Sequence, residues 1–420
     1  MIDRRTFIGS GAAAIGGAAL VPSIAADATL HPAIRGLKPM TSDVVPISDD
    51  ERRARMERAR KLMVDNGFDA IFIEPGTTMS YFTGVTWGTS ERMFAMVLPA
   101  RGEPAFICPA FEEARAREVI RFSNDVRVWQ EDENPGAHVA QVIRDRGLAT
   151  RRIGIEQRAR FFLADLIRTA SPAVEQRIAD VVTVGCRMIK SPAELALMQK
   201  ANEITLAAMK VTFATMKLGM TQDELRASME AACSALGVPH HPSTPQFGIY
   251  TAYPHGSQTP QRLHEGDVVQ IDDGVKIEGY GADITRTTVF GKPSARQRQV
   301  WDLEKRAQQA ALDAAKVGVP CEAIDAAARK VITDAGFGPG YKVPGLPHRT
   351  GHGIGMDGHE APNLVRGNEL PLAPGMCFSD EPMIAIYGEF GIRLEDCWHM
   401  TEAGPVTFTP LSPSIEVPVA

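Results

Sequence analysis

Four acidic residues in the C-terminal half of this chain place the strongest constraint on its fold. Asp272 and Asp283 frame one segment that is typical of a strand, a tight turn and a second strand. Glu381 and Glu395 frame another segment of the same kind. Directly opposed side chains on one face of a hairpin have Cβ atoms about 4.5–5.5 Å apart, and like charges there destabilise the sheet. Each hairpin therefore predicts a carboxylate pair that needs a counter-ion.

The turn positions predict which residues pair with each other within each hairpin. A two-residue turn centred on Ile277 and Glu278 would set the two aspartates face to face, and folding about Gly388 would do the same for the two glutamates. A histidine-rich run, residues 348–360, lies between the hairpins in sequence. Because four carboxylates and a histidine in one cavity would repel one another without cations, the pattern predicts a metal centre.

The ligand types indicate which metals and which chemistry to expect. Carboxylate oxygens with one imidazole suit Mn²⁺, Fe²⁺ or Co²⁺. Four carboxylates can hold two ions roughly 3.5–4 Å apart with a hydroxide between them, which activates water near neutral pH and polarises a carbonyl. The pattern therefore favours metal-assisted hydrolysis.

Composition excludes several other classes of protein. The chain has 420 residues and a net charge of −6, and it shows no block of lysine and arginine, so we expect two domains and no nucleic-acid partner. Its six cysteines show no C-x-x-C spacing, which argues against a zinc-thiolate site.

The N-terminal segment resembles a bacterial twin-arginine export signal. Arg4 and Arg5 precede an apolar run, residues 10–21, and an alanine-rich end. The run is shorter than the roughly 17–25 residues that span a bilayer, so no stable membrane insertion is expected. We predict a periplasmic or otherwise exported protein.

The rest of the chain divides into alternating elements. Strands and helices alternate to about residue 184, with a strand expected at 181–184, and this pattern is typical of an α/β domain. Ser191, Thr221 and Ser294 each begin a capping-box pattern that predicts a helix. Helix pair, hairpin, helix pair and hairpin then follow, which suggests two helix-backed halves of one curved sheet. The predicted divisions are 1–28 signal, 29–46 linker, 47–186 N-terminal domain and 187–420 catalytic domain.

The candidate ligands resemble those of the creatinase/prolidase/aminopeptidase P family of metallopeptidases. Asp272 and Asp283, eleven residues apart, are similar to the family's first two ligands, and His352 is similar to its histidine ligand. Glu381, in a Glu-Pro pair, and Glu395, in an Arg-Leu-Glu-Asp run, are similar to the last two. The resemblance extends over nearly all of the chain that would remain after export.

This resemblance implies a fold and a set of roles. It implies an α+β protein in which a pita-bread catalytic domain, with pseudo-twofold symmetry, follows an α/β creatinase-like domain. The implied ligands of two divalent ions are Asp272, Asp283, His352, Glu381 and Glu395, with Asp283 and Glu395 bridging. The implied catalytic residues are His255, His359, Glu381 and Arg393. Manganese is the first choice of metal, with Co²⁺, Fe²⁺ or Zn²⁺ as alternatives.

The function implied is hydrolysis of an Xaa-Pro bond by a metal-bridging hydroxide, in a dipeptidase or an aminopeptidase. The substrate is then a small peptide with proline at its second position, and a homodimer is expected because relatives often form one. The alternative is a lyase or hydrolase acting on a small non-peptide substrate such as dimethylsulfoniopropionate at the same metal site. Creatine-type hydrolysis without metal, or a non-catalytic binding module, is disfavoured because all five ligands are present.

Overall fold

The computed structural model describes residues 30–148 and 152–420, so the predicted export signal lies outside the described residues. The described chain begins with a short helix, α1 (Pro32–Arg35), within the predicted linker. Ile34 of this helix packs into the apolar core of the second half of the chain. The segment predicted as a linker is thus a packed part of the catalytic unit.

The first unit is a six-stranded mixed sheet covered by helices on both faces. Its strands are β1 (Ala70–Ile73), β2 (Ala95–Pro99), β3 (Ala105–Pro109), β4 (Val126–Trp129), β5 (Arg152–Ile155) and β6 (Glu175–Ile178). Its helices are α2 (Asp49–Asp65), α3 (Thr77–Thr83), α4 (Glu113–Val119), α5 (Gly136–Asp145), α6 (Phe161–Ala170) and α7 (Asp180–Arg187). The strand order is β4-β3-β2-β1-β5-β6. Alternate residues of β1 enter separate apolar clusters, Phe72 on one face and Ile71 on the other, as expected of a sheet buried on both sides.

The strand predicted at residues 181–184 is wrong, because this segment belongs to α7. Val182 and Cys186, four residues apart, are fully buried, whereas Val181 is 50% exposed. That spacing is the period of a helix with one apolar face. The prediction missed it because three of the four residues at 181–184 are β-branched valines, which favour strands. The neighbouring strand, β6, was missed because its sequence, Glu-Gln-Arg-Ile, is polar and lies at the sheet edge.

The second unit contains two helix pairs. The helices are α8 (Pro192–Ala214), α9 (Gln222–Ala235), α10 (Ala295–Ala314) and α11 (Cys321–Asp334). The side chains of Ser191, Thr221 and Ser294 each accept from the backbone three residues on, and the capping boxes form as predicted. Because these signals satisfy helix N-terminal amides locally, they identify where each helix begins.

Each helix pair covers one group of short strands. The first group is β7 (Gln246–Phe247), β8 (Val268–Asp273), β9 (Lys276–Ile277), β10 (Tyr280–Gly281) and β11 (Ile284–Val289). The second group is β12 (Gly351–Gly353), β13 (Glu360–Leu364), β14 (Cys377–Asp380), β15 (Met383–Ile386), β16 (Phe390–Arg393), β17 (Asp396–Thr401) and β18 (Gly404–Thr407). The larger sheets have the orders β11-β8-β7 and β13-β12-β14-β17-β18. This is the predicted α+β architecture, with an α/β unit ahead of two helix-backed halves.

The register of the first hairpin differs from the prediction. Asp272 pairs with Thr285 rather than with Asp283. The reason is the turn, which is centred on Glu278 and Gly279, both with positive φ. Paired left-handed residues match the twist of a tight hairpin, so the turn lies one residue later than expected. Since side chains alternate with a period of two, the two-residue change in register leaves both aspartates on one face.

The second hairpin has the predicted register. The β14–β17 ladder ends at the pair Asp380–Asp396, and the β15–β16 ladder continues in the same register beyond a short gap. Glu381 and Glu395 lie in that gap, opposite each other. An isolated bridge between Thr285 and Glu395 then joins the two hairpins, so both carboxylate pairs meet at one place.

Two further expectations concern the chain as a whole. The six cysteines are free and buried, in agreement with the absence of a thiolate pattern. Over the described ranges, none of the helices is both long and apolar enough to cross a bilayer.

Candidate metal centre

The five predicted ligands lie together where the two hairpins meet. They form overlapping groups in which the ligand atoms are all within 4.8 Å of one another. One group is Asp272, Asp283 and Glu395, a second is His352, Glu381 and Glu395, and a third is Asp283, His352 and His359. Asp283, Glu395 and His352 each belong to two groups, and of these the two carboxylates have the two oxygens that a bridging ligand needs. The arrangement therefore fits two neighbouring cations.

Cross-hairpin hydrogen bonds hold the carboxylates in place. The hydroxyl of Thr285 donates to Glu395 Oε2 at 2.6 Å, and the Glu395 backbone N–H donates to the Thr285 carbonyl at 3.1 Å. The thiol of Cys397 donates to the Asp283 carbonyl at 3.1 Å. The sequence did not identify Thr285 or Cys397 as supporting residues, because only the folded chain brings the two hairpins together.

His352 is oriented as a metal ligand by its other ring nitrogen. Its Nδ1 lies 3.0 Å from the Gly353 carbonyl, which can only accept, so Nδ1 carries the proton. Nε2 faces Glu381 Oε1 at 3.1 Å and Asp283 Oδ2 at 3.7 Å, and it donates to the Glu381 carboxylate as long as no metal takes the place of its proton. A histidine whose second nitrogen donates to a carbonyl is the usual form of a ligating imidazole.

The protonation tendencies show that the carboxylates cannot all stay charged without a cation. Burial, followed by repulsion from Asp272, raises the pKa of Asp283 to about 8. Burial and the charge of Asp283 likewise raise the pKa of Glu395 well above its ordinary value. Burial also opposes ionisation of Glu381, but the hydrogen bond with His352 outweighs it and lowers the pKa of this carboxyl to about 2. A donor set with this excess of buried negative charge fits divalent metal ions.

Arg393 supplies the positive charge next to these carboxylates. It forms an ion pair with Asp272, and its Nε donates to the Thr285 hydroxyl at 3.0 Å. Its Nη1 donates to the Pro254 carbonyl at 3.1 Å, and only 3% of the side chain is exposed. The carboxylate with which Arg393 pairs therefore belongs to a candidate ligand. The guanidinium is therefore fixed at the edge of the metal centre.

A cavity of about 820 Å³ opens beside Asp272 and Arg393. His255 lies in its wall and is exposed, shortly after the 3₁₀ helix Gly248–Ala252. Most of the other lining side chains are polar and include Gln246, Gln261 and Gln270. The structure thus places His255 where a molecule approaching the carboxylates would pass.

His359 lies in contact with His352. The two imidazole ring centroids are 4.0 Å apart at an angle of 45°. His359 also lines a second cavity of about 370 Å³ between the two units. Its Nδ1 accepts a hydrogen bond from Arg349 Nη2 at 3.2 Å, a contact that the sequence did not predict. His359 therefore stands between the metal ligands and an open cavity.

Arg286 supports the hairpin that carries Glu395. Its Nη2 forms an ion pair of 2.5 Å with Asp396, and its Nη1 donates to the Glu395 carbonyl at 2.8 Å. Gln308 of α10 donates to the second oxygen of Asp396 at 3.0 Å. The side chain of Arg286 is fully buried, and it braces the hairpin that carries Glu395.

Comparisons with known proteins agree with this geometry. Residues 196–402 match the model of metallopeptidase family M24, and residues 55–189 match that of the creatinase/prolidase N-terminal domain. An Xaa-Pro dipeptidase from Lactobacillus helveticus is 33% identical over 370 residues, which cover 84% of this chain and 96% of that protein.

Solved structures give the same result. The crystal structure of dipeptidase PepE from Mycobacterium ulcerans is 32% identical with a TM-score of 0.79, covering 90% of this chain and 100% of that one. A prolidase from Thermococcus sibiricus is 29% identical with a TM-score of 0.77, covering 86% of this chain and 97% of that one. The chain belongs to metallopeptidase family M24.

Proposed function

We propose that this protein is a dinuclear metallopeptidase that hydrolyses the Xaa-Pro bond of small peptides, with dipeptides as the preferred length. The observation that carries the proposal is the pair of overlapping donor groups that share Glu395. Dipeptides are favoured because the relatives include proteins named Xaa-Pro dipeptidase, dipeptidase and prolidase.

The proposed ligands divide between two ions. Asp272 and Asp283 would hold one ion, while His352 and Glu381 would hold the other. Asp283 and Glu395 would bridge them, since each lies within ligand distance of both groups. Manganese is proposed first, because carboxylates with one imidazole suit it, and Co²⁺, Fe²⁺ or Zn²⁺ are the alternatives. When bound, such ions lower the pKa of a coordinated water and polarise a carbonyl.

The protein side chains have separate tasks around the scissile bond. Glu381, held ionised beside His352, is placed to accept a proton and return it to the leaving nitrogen. His255, in the wall of the larger cavity, and His359, in contact with His352, donate hydrogen bonds to the substrate carbonyl or carboxylate. Arg393 fixes the orientation of Asp272 and presents its remaining face to the cavity.

The size of the open space fits a small peptide. Cavities that hold small ligands have volumes of about 300–1,000 Å³, and the cavity beside Asp272 has about 820 Å³. Its polar lining suits a substrate with charged termini. Export through the N-terminal signal, a periplasmic location and a homodimer remain predictions from the sequence, to be checked by cell fractionation and by mass in solution.

The test begins with metal-depleted protein that is reloaded with Mn²⁺, Co²⁺ or Zn²⁺. We would compare Xaa-Pro dipeptides with the same dipeptides carrying alanine instead of proline, and then with longer Xaa-Pro peptides and dimethylsulfoniopropionate. We expect turnover of the Xaa-Pro dipeptides that requires metal and reaches a stoichiometry of two ions per chain. Turnover of dimethylsulfoniopropionate alone, or no metal dependence, would refute the proposal.

A further inference from the structure

Arg349 and His359 form a contact whose polarity can be assigned from chemistry alone. Arg349 Nη2 lies 3.2 Å from His359 Nδ1. An arginine guanidinium has only N–H donors and keeps its charge in proteins. His359 Nδ1 must therefore accept, and the proton of the neutral ring must lie on Nε2.

This assignment decides between two roles for His359. Its ring contacts His352, and it shares a donor group with Asp283 and His352, so geometry alone would allow it to act as a further metal ligand. A nitrogen that carries a proton has no lone pair to offer to a metal. His352 differs, because its Nδ1 donates to the Gly353 carbonyl and Nε2 is therefore the nitrogen that is left to bind a metal.

We infer that Arg349 is a positioning residue that keeps His359 a hydrogen-bond donor toward the reaction centre and prevents it from becoming a sixth metal ligand. This inference rests on the proposed function for its kinetic consequence, and on the structure alone for the tautomer. The donor would face the carbonyl oxygen or the carboxylate of the substrate.

The backbone on the Arg349 side of the contact is held firmly. Thr350 donates both its backbone N–H, at 3.0 Å, and its hydroxyl, at 2.8 Å, to Asp325 Oδ1. Arg329 donates to the carbonyl of His348 and forms an ion pair of 2.7 Å with Asp325. The residues on both sides of Arg349 are thus anchored to α11.

The His359 side is anchored by the first unit. Asp357 lies 2.9 Å from Arg158 and 2.6 Å from Arg187, and Glu360 also forms an ion pair with Arg187. In the part of the chain that the structure describes, the one side-chain hydrogen bond of Arg349 is the bond to His359. Among the described residues, the guanidinium therefore forms no ion pair with a carboxylate, and its Nη2 donates to the imidazole.

The first experiment reads the tautomer directly. Metal-free protein carrying ¹⁵N-histidine would be studied by long-range ¹H–¹⁵N correlation, with His359→Asn used to assign the signal. We expect wild type to carry the His359 proton on Nε2 with no detectable Nδ1–H form. Arg349→Met should release the other tautomer, whereas Arg349→Lys, which still only donates, should not.

A matched control lies in the same cavity. Arg158 contacts Asp357 and lies 3.5 Å from the backbone carbonyl of His359, but it does not contact the ring. Arg158→Met should therefore leave the tautomer unchanged. A wild-type signal with the proton on Nδ1 would overturn the inference, whether or not the variants fold. So would a tautomer that responds to Arg158→Met and not to Arg349→Met.

The second experiment uses the enzyme loaded with metal. Removal of a partner that orients an active-site histidine costs about 10–100-fold in activity, so we expect a loss of that size in kcat for Arg349→Met and partial recovery for Arg349→Lys. In a His359→Asn background, Arg349→Met should cause no further loss, because Arg349 acts through the imidazole. If the kcat losses of Arg349→Met and His359→Asn multiply in the double variant, the inference is overturned. If wild type hydrolyses no Xaa-Pro peptide, the proposed function fails, and the tautomer measurement still decides the inference.

Discussion

Glu381 is buried and Asp283 is partly buried, and their partners give the two carboxyls opposite protonation tendencies. Glu381 has the imidazole of His352 3.1 Å away, and its pKa falls to about 2 despite burial. Asp283 is desolvated and faces the charge of Asp272, and its pKa rises to about 8. At neutral pH Glu381 is therefore ionised, while Asp283 needs a cation to stay charged.

We predict that Glu381→Gln abolishes turnover and leaves the fold intact. The substitution keeps the volume of the side chain but removes both a ligand oxygen and the proton carrier, so a loss of at least about 10²–10⁴-fold in kcat is expected. Glu389→Gln is the control, because Glu389 is exposed at the hairpin turn and lies 3.5 Å from Arg296. Kinetics, bound metal and circular dichroism would be measured together. Activity close to wild type in Glu381→Gln would contradict the assigned role.

The contribution of Asp283 to the stability of the metal-free protein should fall as pH rises from about 4 to above 8. Asp283 has an ordinary pKa of 3.8 and a pKa of about 8 in the fold, so between these values the folded state holds the extra proton. Stability then decreases with pH, since the unfolded state binds fewer protons. Glu381 has the opposite sign, but its contribution is lost only below its ordinary pKa of 4.5.

Thermal unfolding of chelator-treated protein between about pH 5 and about pH 8.5 measures this dependence. Asp283→Asn should flatten the curve, because the substituted amide does not titrate. Saturation with metal should also flatten it, since bound ligands are already deprotonated. If wild type loses no more stability over this range than Asp283→Asn does, the sign assigned to Asp283 is wrong.

Among the elements, local signals were predictable and contacts between distant segments were not. The capping boxes at Ser191 and Ser294 each lie within four residues, so the sequence identifies them. The first hairpin was paired two residues out of register because its turn requires positive φ at Glu278, a conformation that non-glycine residues seldom adopt. The hydroxyl of Thr285 donates to Glu395, which lies 110 residues later in the sequence, and neither segment contains a local pattern that predicts this hydrogen bond.

Gly274 illustrates a backbone requirement of the first hairpin. A Cβ at this position would lie 1.8 Å from the Ala282 carbonyl oxygen, which is backbone and cannot move without shifting β8 against β11. We predict that Gly274→Ala costs at least about 1–3 kcal/mol of stability and weakens metal binding, because Asp272 and Asp283 flank the displaced segment.

Gly358→Ala is the matched control for that substitution. A Cβ there has no neighbour within 4 Å, and the φ of Gly358 is not positive. Its effect on stability should stay within about 0.5 kcal/mol. Equal effects of the two substitutions, measured by urea unfolding, would argue that close packing at Gly274 is not required.

In the whole molecule, the first unit is joined to the loop that carries His359. Arg187 of α7 is mostly buried and forms ion pairs with Asp357 and Glu360, while Lys190 reaches Glu360 at 3.3 Å. These partners are 170 or more residues apart, so the sequence could not reveal the network. The resemblance to a known family predicted both units, but the contact between them became visible only in the structure.

Loss of Arg187 should therefore damage both stability and catalysis without removing a metal ligand. Arg187→Met leaves Asp357 and Glu360 without their shared guanidinium, and breaking a buried ion pair on one side costs about 3–5 kcal/mol. Arg168→Met is the control, because Arg168 is 61% exposed and, among the residues that the structure describes, pairs with Asp165 alone, a contact expected to contribute about 0–1 kcal/mol.

Denaturant unfolding would measure the stability of both variants, and kinetics and metal analysis would be run in parallel. For Arg187→Met we expect a lower kcat with the full metal content, because His359 lies between the two carboxylates that lose their anchor while all five ligands stay in place. If Arg187→Met unfolds like Arg168→Met, the ion network does not contribute to stability. If Arg187→Met has a reduced metal content and its kcat falls only in proportion to that content, the first unit acts on the metal ligands and not on the loop that carries His359.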